Sequence, residues 1–225
     1  MSEAKRLQGR FILLNGACSS GKSSIAKSLQ NLLVEPNILL GTDAYHLAIP
    51  DEKLNLNHPD KNYLWAEQWV ENSMPMTVVK HGPIIKKINE ARFLSAGHFL
   101  EQGISIIADE LFWDLDDITR FLRLMQGFQV ILIKVSVNES IGEQRLATRC
   151  QGSNENLDNF ATNFRPSGMC RASANVTHRF MDYDFTIDSS DKSILACAES
   201  INRWLTTLKE PMAFKRLTAL YGPFN

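Results

Sequence analysis

One run of residues constrains this chain more than any other. Gly16-Ala17-Cys18-Ser19-Ser20-Gly21-Lys22-Ser23 follows an apolar stretch, Phe11 to Asn15, and precedes apolar residues at helical spacing, Ile25, Leu29, Leu32 and Leu33. The pattern GxxxxGK[ST] arises by chance in about one percent of chains this long at average residue usage. Its flanks narrow it further, because a short continuous apolar run is the mark of a strand buried on both faces of a parallel sheet. A glycine-rich turn leading from such a strand into a helix points successive N–H groups inward, with the positive end of the helix behind them. The run predicts a phosphate-binding loop over Gly16 to Ser24. Lys22 then reaches the β and γ phosphates, and Ser23 offers its hydroxyl to Mg²⁺. The competing reading, a Gly/Ser-rich turn with a solvated lysine, leaves both flanks unexplained.

The alternation continues along the chain. Asn37 to Thr42, Ile104 to Ala108, Gln129 to Val135 and Asp184 to Ile187 read as strands, and Ile84 to Gln102, 114–125, 138–148 and Ser190 to Leu208 as helices. Strands alternating with helices imply a parallel sheet covered on both faces. At 225 residues the chain fits a single domain over 1–225, since one core serves up to about 250 residues. An apolar share of 44% with 22% charged argues against disorder.

Two polar stretches interrupt the rhythm. The first, about 51–76, carries Trp65 and Trp69 four apart, a spacing that predicts a short helix with an apolar stripe. The second, about 150–167, is loop-like and flanked by arginines.

Charge and cysteines set outer bounds. Lys plus Arg total 24 against 25 for Asp plus Glu, which leaves no broad field for a polyanion, so no nucleic-acid partner is expected. Cys18, Cys150, Cys170 and Cys197 form no CxxC pair and have no histidine at metal-ligand spacing. They read as reduced thiols in a cytoplasmic setting. The run Phe11 to Leu14 is too short for a signal-peptide core, and no stretch approaches the ~20 apolar residues of a membrane span.

Carboxylates stand where the sheet would deliver them to a ligand. The strand Ile104 to Ala108 ends in Asp109 and Glu110, and in open α/β sheets ligands gather at the carboxyl ends of strands. Asp109 is the expected metal-shell residue beside Ser23. Glu110 is left open as a group that holds an attacking hydroxyl or water. Asp43 takes the analogous place after the second strand, where a carboxylate can accept a proton from an acceptor hydroxyl or can simply cap the next turn.

Phosphoryl transfer also spreads charge over equatorial oxygens, which calls for cations. Arg145, Arg149, Arg165 and Arg171 bracket the second polar stretch, and a solvated helix face explains them equally well. His46, His81 and His178 lack metal-ligand companions and read as surface or packing residues.

With these residues in place, the chain resembles the chloramphenicol phosphotransferase family of P-loop small-molecule kinases. The similarity runs through the strand and loop from Phe11 to Ser24, Glu35-Pro36, Gly41 to Asp43 with Pro50, and Gly82-Pro83. It resumes at Ile106 to Glu110, Arg145 to Arg149, Arg165 to Met169, His178, and Tyr183 to Phe185, covering most of residues 10–208. The resemblance implies a P-loop kinase fold: a five-stranded parallel sheet in the order 2-3-1-4-5, helices on both faces and a lid. It further implies ATP- and Mg²⁺-dependent transfer of the γ phosphate to a hydroxyl of a small molecule. Asp43 takes the base role in that picture, and Arg149 and Arg165 match family arginines near the lid. The chain departs from the family in about a dozen extra residues between Arg149 and Arg165, in an unmatched 51–76 region, and in a tail from about 209 to Asn225. Other functions compatible with the residues are a nucleotide-dependent interaction module with slow ATP hydrolysis and a 5′-hydroxyl nucleic-acid kinase.

Overall fold

A computed structural model of the chain describes residues 8–151 and 166–224. In chain order the elements are β1 (Arg10–Gly16), α1 (Lys22–Gln30), β2 (Asn37–Leu39), α2 (Thr42–His46), β3 (Leu64–Glu71), β4 (Met74–His81), α3 (Pro83–Glu101) and β5 (Ser105–Glu110). They continue with α4 (Leu115–Leu124), β6 (Gln129–Ser136), α5 (Glu139–Gln151), α6 (Met169–Val176), β7 (Phe185–Asp188), α7 (Ile194–Thr207) and α8 (Ala213–Tyr221). Five strands pair in parallel in the order β2-β5-β1-β6-β7. Counted along the chain as core strands, this is the expected order 2-3-1-4-5.

Side-chain alternation divides the core. Phe11 and Leu13 of β1 face α3, α4 and α8, in a cluster centred on Phe93, Phe121 and Phe214. Ile12 and Leu14 point the other way, toward Ile25 and Leu29 of α1 and Ile201 and Leu205 of α7. A period of two on each strand thus feeds two helical layers, which is why the strands read as unbroken apolar runs. Side-chain caps close two helix starts: Asp114 accepts from Asp117 N–H at 2.9 Å and Ser193, three residues beyond the expected start at Ser190, from Ala196 N–H at 3.1 Å.

Two expectations are corrected. Trp65 and Trp69 lie on β3, which pairs antiparallel with β4, and no short helix forms there. Asn72 and Ser73 join the strands with φ of 49° and 62°, the two left-handed residues of a type I′ turn. Spacing of four is even, so it places two tryptophans on one face of a strand as readily as on one face of a helix. The second correction concerns the second strand, which ends at Leu39, so that Thr42 and Asp43 open α2; the tail from about 209, for its part, belongs to the main core. Phe214 meets Phe121 edge-on at 5.8 Å, and Asp184 Oδ1 accepts from Met212 and Ala213 N–H at 2.7 and 2.8 Å, closing the start of α8.

Cys18, Cys170 and Cys197 are buried free thiols. Among the described residues no helix is long and apolar enough to cross a membrane.

Candidate active site

The loop after β1 forms as its residue types dictate. Gly21 takes φ 86°, a left-handed conformation that costs glycine little, and Ser19 joins it at φ 60°. The first helical bond of α1 runs from Ile25 N–H to Gly21 O at 2.9 Å, so the N–H groups of Lys22, Ser23 and Ser24 sit at the mouth of the loop. Two serines pin the loop from behind: Cys18 N–H donates to Ser173 Oγ at 2.9 Å, and Ser189 Oγ donates to Ser20 O at 2.8 Å. Lys22 is half-buried and donates from Nζ to Ala17 O at 2.7 Å. Burial pulls its pKa below the usual lysine value, while the surrounding negative groups, Asp109 and Asp43 among them, oppose that shift.

The end of β5 lies beside this loop in register, Leu14 opposite Asp109 and Asn15 opposite Glu110. Ser23 Oγ donates to Asp109 Oδ2 at 2.5 Å. The two acids of β5, consecutive on a strand, turn to opposite sides. Glu110 is 3% exposed and forks onto Arg92 of α3, with Arg92 Nη2 at 3.1 Å from Oε2 and Nη1 against Oε1, while Thr42 Oγ1 donates to Oε2 at 2.7 Å. Burial raises the Glu110 pKa, and Arg92 and the Thr42 hydroxyl pull it back. The reading of Glu110 as a holder of an attacking group is therefore corrected, since its oxygens are already taken by Arg92 and Thr42.

Asp43 sits in the first turn of α2, exposed, and lines the same cleft as Lys22, Ser23 and Asp109. The capping alternative fails, because Gly41 occupies the N-cap. Gly41 also has no room for a side chain, as an added Cβ would collide with the Asp109 carboxylate.

The arginines separate. Arg149 lines the cleft, whereas Arg145 is spent on Ser189, its Nη2 donating to the carbonyl at 2.8 Å, and Arg171 on Glu139, its Nε donating at 2.7 Å. Arg165 and most of the expected lid lie outside the described residues.

The cleft is open to solvent and encloses a cavity of about 120 Å³. Its apolar lining is Val79, Leu111, Trp113 and Met169, which pack in one cluster with Cys18 of the loop, and His46 and His81 line it as well. His46 is buried and packs edge-on against His81 at 6.2 Å. Burial lowers the His81 pKa and raises that of Asp117, whose Oδ2 is 3.8 Å from Nδ1, so both shifts favour neutral partners. His178 lies elsewhere, behind β1, sharing a hydrogen bond of 2.6 Å with Tyr183 OH, and burial pulls it down to about 4.

Among the described residues no group of three or more His, Cys, Asp or Glu could enclose a metal ion. One hydroxyl and one carboxylate, Ser23 and Asp109, are instead a partial oxygen set. This donor chemistry suits Mg²⁺, which keeps waters and leans on phosphate oxygens.

A family model described as chloramphenicol phosphotransferase-like protein matches residues 9–206. The chain belongs to that family. A Mycobacterium tuberculosis H37Rv relative named a "putative O-phosphotransferase" is 29% identical over 211 residues, covering 93% of this chain and 88% of its own. Solved structures share the fold at low identity. A sugar kinase from Janibacter sp. HTCC2649 superposes with TM-score 0.56 at 12% identity, covering 88% of this chain and 95% of its own. A gluconokinase from Sinorhizobium meliloti 1021 gives 0.54 at 14%, covering 97% and 100%. The Mycobacterium tuberculosis APS kinase, solved with AMPPNP and APS, gives 0.53 at 14%, covering 88% and 98%. As a member of the chloramphenicol phosphotransferase-like family, the chain has the α/β architecture of P-loop kinases.

Proposed function

We propose that the protein transfers the γ-phosphoryl group of ATP to a hydroxyl of a small molecule. The observation that carries this reading is convergence: the loop after β1, Asp109 at the end of β5 and Asp43 on α2, after β2, open onto one cleft at the carboxyl edge of the sheet. The loop from Gly16 to Ser24 wraps the phosphates, with the N–H groups of Lys22, Ser23 and Ser24 at the helix start as donors, whereas those of Cys18 and Ser20 hold the loop's own shape by bonding Ser173 Oγ and Ala17 O. Lys22 exchanges its bond to Ala17 O for phosphate oxygens. Its partial burial favours that exchange, because a charge partly withdrawn from water gains more from the phosphate oxygens. Ser23 and Asp109 hold Mg²⁺, which when bound neutralises charge on the phosphate oxygens.

Asp43 takes the proton from the acceptor hydroxyl as that oxygen bonds to phosphorus. The bond between phosphorus and the β–γ bridging oxygen breaks, ADP departs with its electron pair, and the proton later passes to water. Arg149 and Arg165 meet the charge on the equatorial oxygens. The apolar wall of Val79, Leu111, Trp113 and Met169 receives the body of the acceptor, so an uncharged or aromatic alcohol suits it better than a polyphosphate chain.

The test is label transfer from γ-labelled MgATP to a panel of hydroxylated metabolites and antibiotics, chloramphenicol among them. One labelled small-molecule product is expected. ATP turnover that responds only to a protein, with no labelled small molecule, would redirect the reading to a nucleotide switch, and label on RNA 5′ ends to a polynucleotide kinase. Asp43→Asn should retain nucleotide affinity and lose transfer by about a hundredfold or more.

A further inference from the structure

The helix that carries the proposed base is the least self-supporting element of the site. α2 has five residues, its cap is Gly41, and no side chain closes its first turn. A helix this short does not hold itself in water, so the direction of Asp43 is set by contacts made outside α2. Tyr45 OH shares a hydrogen bond with Ser95 Oγ at 2.7 Å, and His46 packs on His81. Another tether is beside the base itself: Thr42 Oγ1 donates to Glu110 Oε2 at 2.7 Å.

That acceptor oxygen is aimed by Arg92. A carboxylate buried alone would neutralise or turn toward water. Here the guanidinium, 2% exposed and stacked 4.2 Å over the Phe93 ring, forks onto both Glu110 oxygens and fixes the plane of the carboxylate. The end of β5 then acts as a spacer. Asp109 faces Ser23 of the phosphate loop, Glu110 faces Thr42 of α2, and Gly41 presses directly on Asp109.

We propose that Arg92 is a positioning residue, which through Glu110 and Thr42 sets the Asp43 carboxylate against the phosphate loop. The proposal rests on the reading of Asp43 as base. Loss of the buried pair itself would lower the melting point as well as the rate, whereas removing the Thr42 hydroxyl leaves the pair in place and should lower the rate with little change in melting point.

The experiment uses the full chain with MgATP, water as the phosphoryl acceptor, and phosphate release as the readout. Thr42→Val keeps shape and removes the hydroxyl. Turnover is expected to fall about ten- to a hundredfold, as for a small misplacement of a reacting group, with the KM for ATP within about twofold. Thr42→Ser should return the rate to within about threefold of the native value. Arg92→Lys keeps the charge and loses the fork, and should reproduce the Thr42→Val loss; the Thr42 variants carry the test if Arg92→Lys does not fold. In an Asp43→Asn background, Thr42→Val should add nothing, because the two act as one unit. Native turnover in Thr42→Val, or an equal loss in both backgrounds, overturns the positioning role while leaving the base assignment standing. Native turnover in Asp43→Asn sinks the base assignment and the positioning role with it.

Discussion

The two sides of the cleft are built in different ways. The phosphate side is local: one strand end, one loop and one helix start, all within Gly16 to Ser24, with φ of 86° at Gly21 as its turning point. The side proposed for the acceptor is assembled from Thr42, Asp43 and His46 on α2, Val79 and His81 on β4, Leu111 and Trp113 after β5, and Met169 on α6. Consecutive residues can build a phosphate cradle because backbone N–H groups do most of the binding, and backbone geometry follows from neighbouring residue types. An acceptor pocket is made of side chains, which only packing brings together. In this family the phosphate side is therefore expected to keep one chemistry while the acceptor side varies it.

Removing a phosphate-side charge should cost most. Lys22→Ala is expected to cut label transfer about a thousandfold, read in single-turnover assays, with the cleft wall intact. A variant retaining a tenth of the native rate would mean that the transition-state charge is met elsewhere. Trp113→Ala should act on the opposite side, raising the KM for the identified acceptor about tenfold and leaving that for ATP within about twofold. If ATP affinity falls instead, the division of the cleft is wrong.

The smallest expected effect sharpens the picture behind the phosphate side. There Asn15 Nδ2 donates to Tyr183 OH at 2.7 Å, and Tyr183 in turn bonds His178. His178 is held near 4 against the usual 6.5, so the unfolded chain takes up a proton that the folded chain refuses. Stability should accordingly fall as pH drops through that window. His178→Gln removes this contribution, and urea midpoints measured at about pH 7 and about pH 5 should converge relative to the native chain. An unchanged pH dependence would show that the network stays intact when His178 is protonated.

How much was legible can be argued from particular residues. The loop was readable because its signal is contiguous, and Asp109 because an apolar strand ending in an acid is a local pattern. The strand order became readable once the resemblance to the kinase family was added. The β3–β4 hairpin was missed because a spacing of four fits a strand face as well as a helix face, and because Asn72-Ser73 is a weaker turn signal than Asn-Gly. Arg92 carried no signal at all. It reads as one more basic residue on α3 until Glu110, 18 positions on, is found buried against it. The tail past the matched residues 9–206 carried no packing signal, and only the structure shows Phe214 completing the aromatic cluster around Phe121.

The sequence by itself determined the glycine-rich loop between β1 and α1, the alternation of strands and helices, and the strand end at which Asp109 stands, because each of these depends on residues close in the chain. Tertiary structure alone decided that Glu110 turns away from the loop to Arg92 and Thr42, that Gly41 rides on Asp109, and that Val79, Leu111, Trp113 and Met169 form one wall. Those outcomes depend on which side chains meet across distant segments. That is a property of packing in three dimensions, which no spacing along the chain encodes.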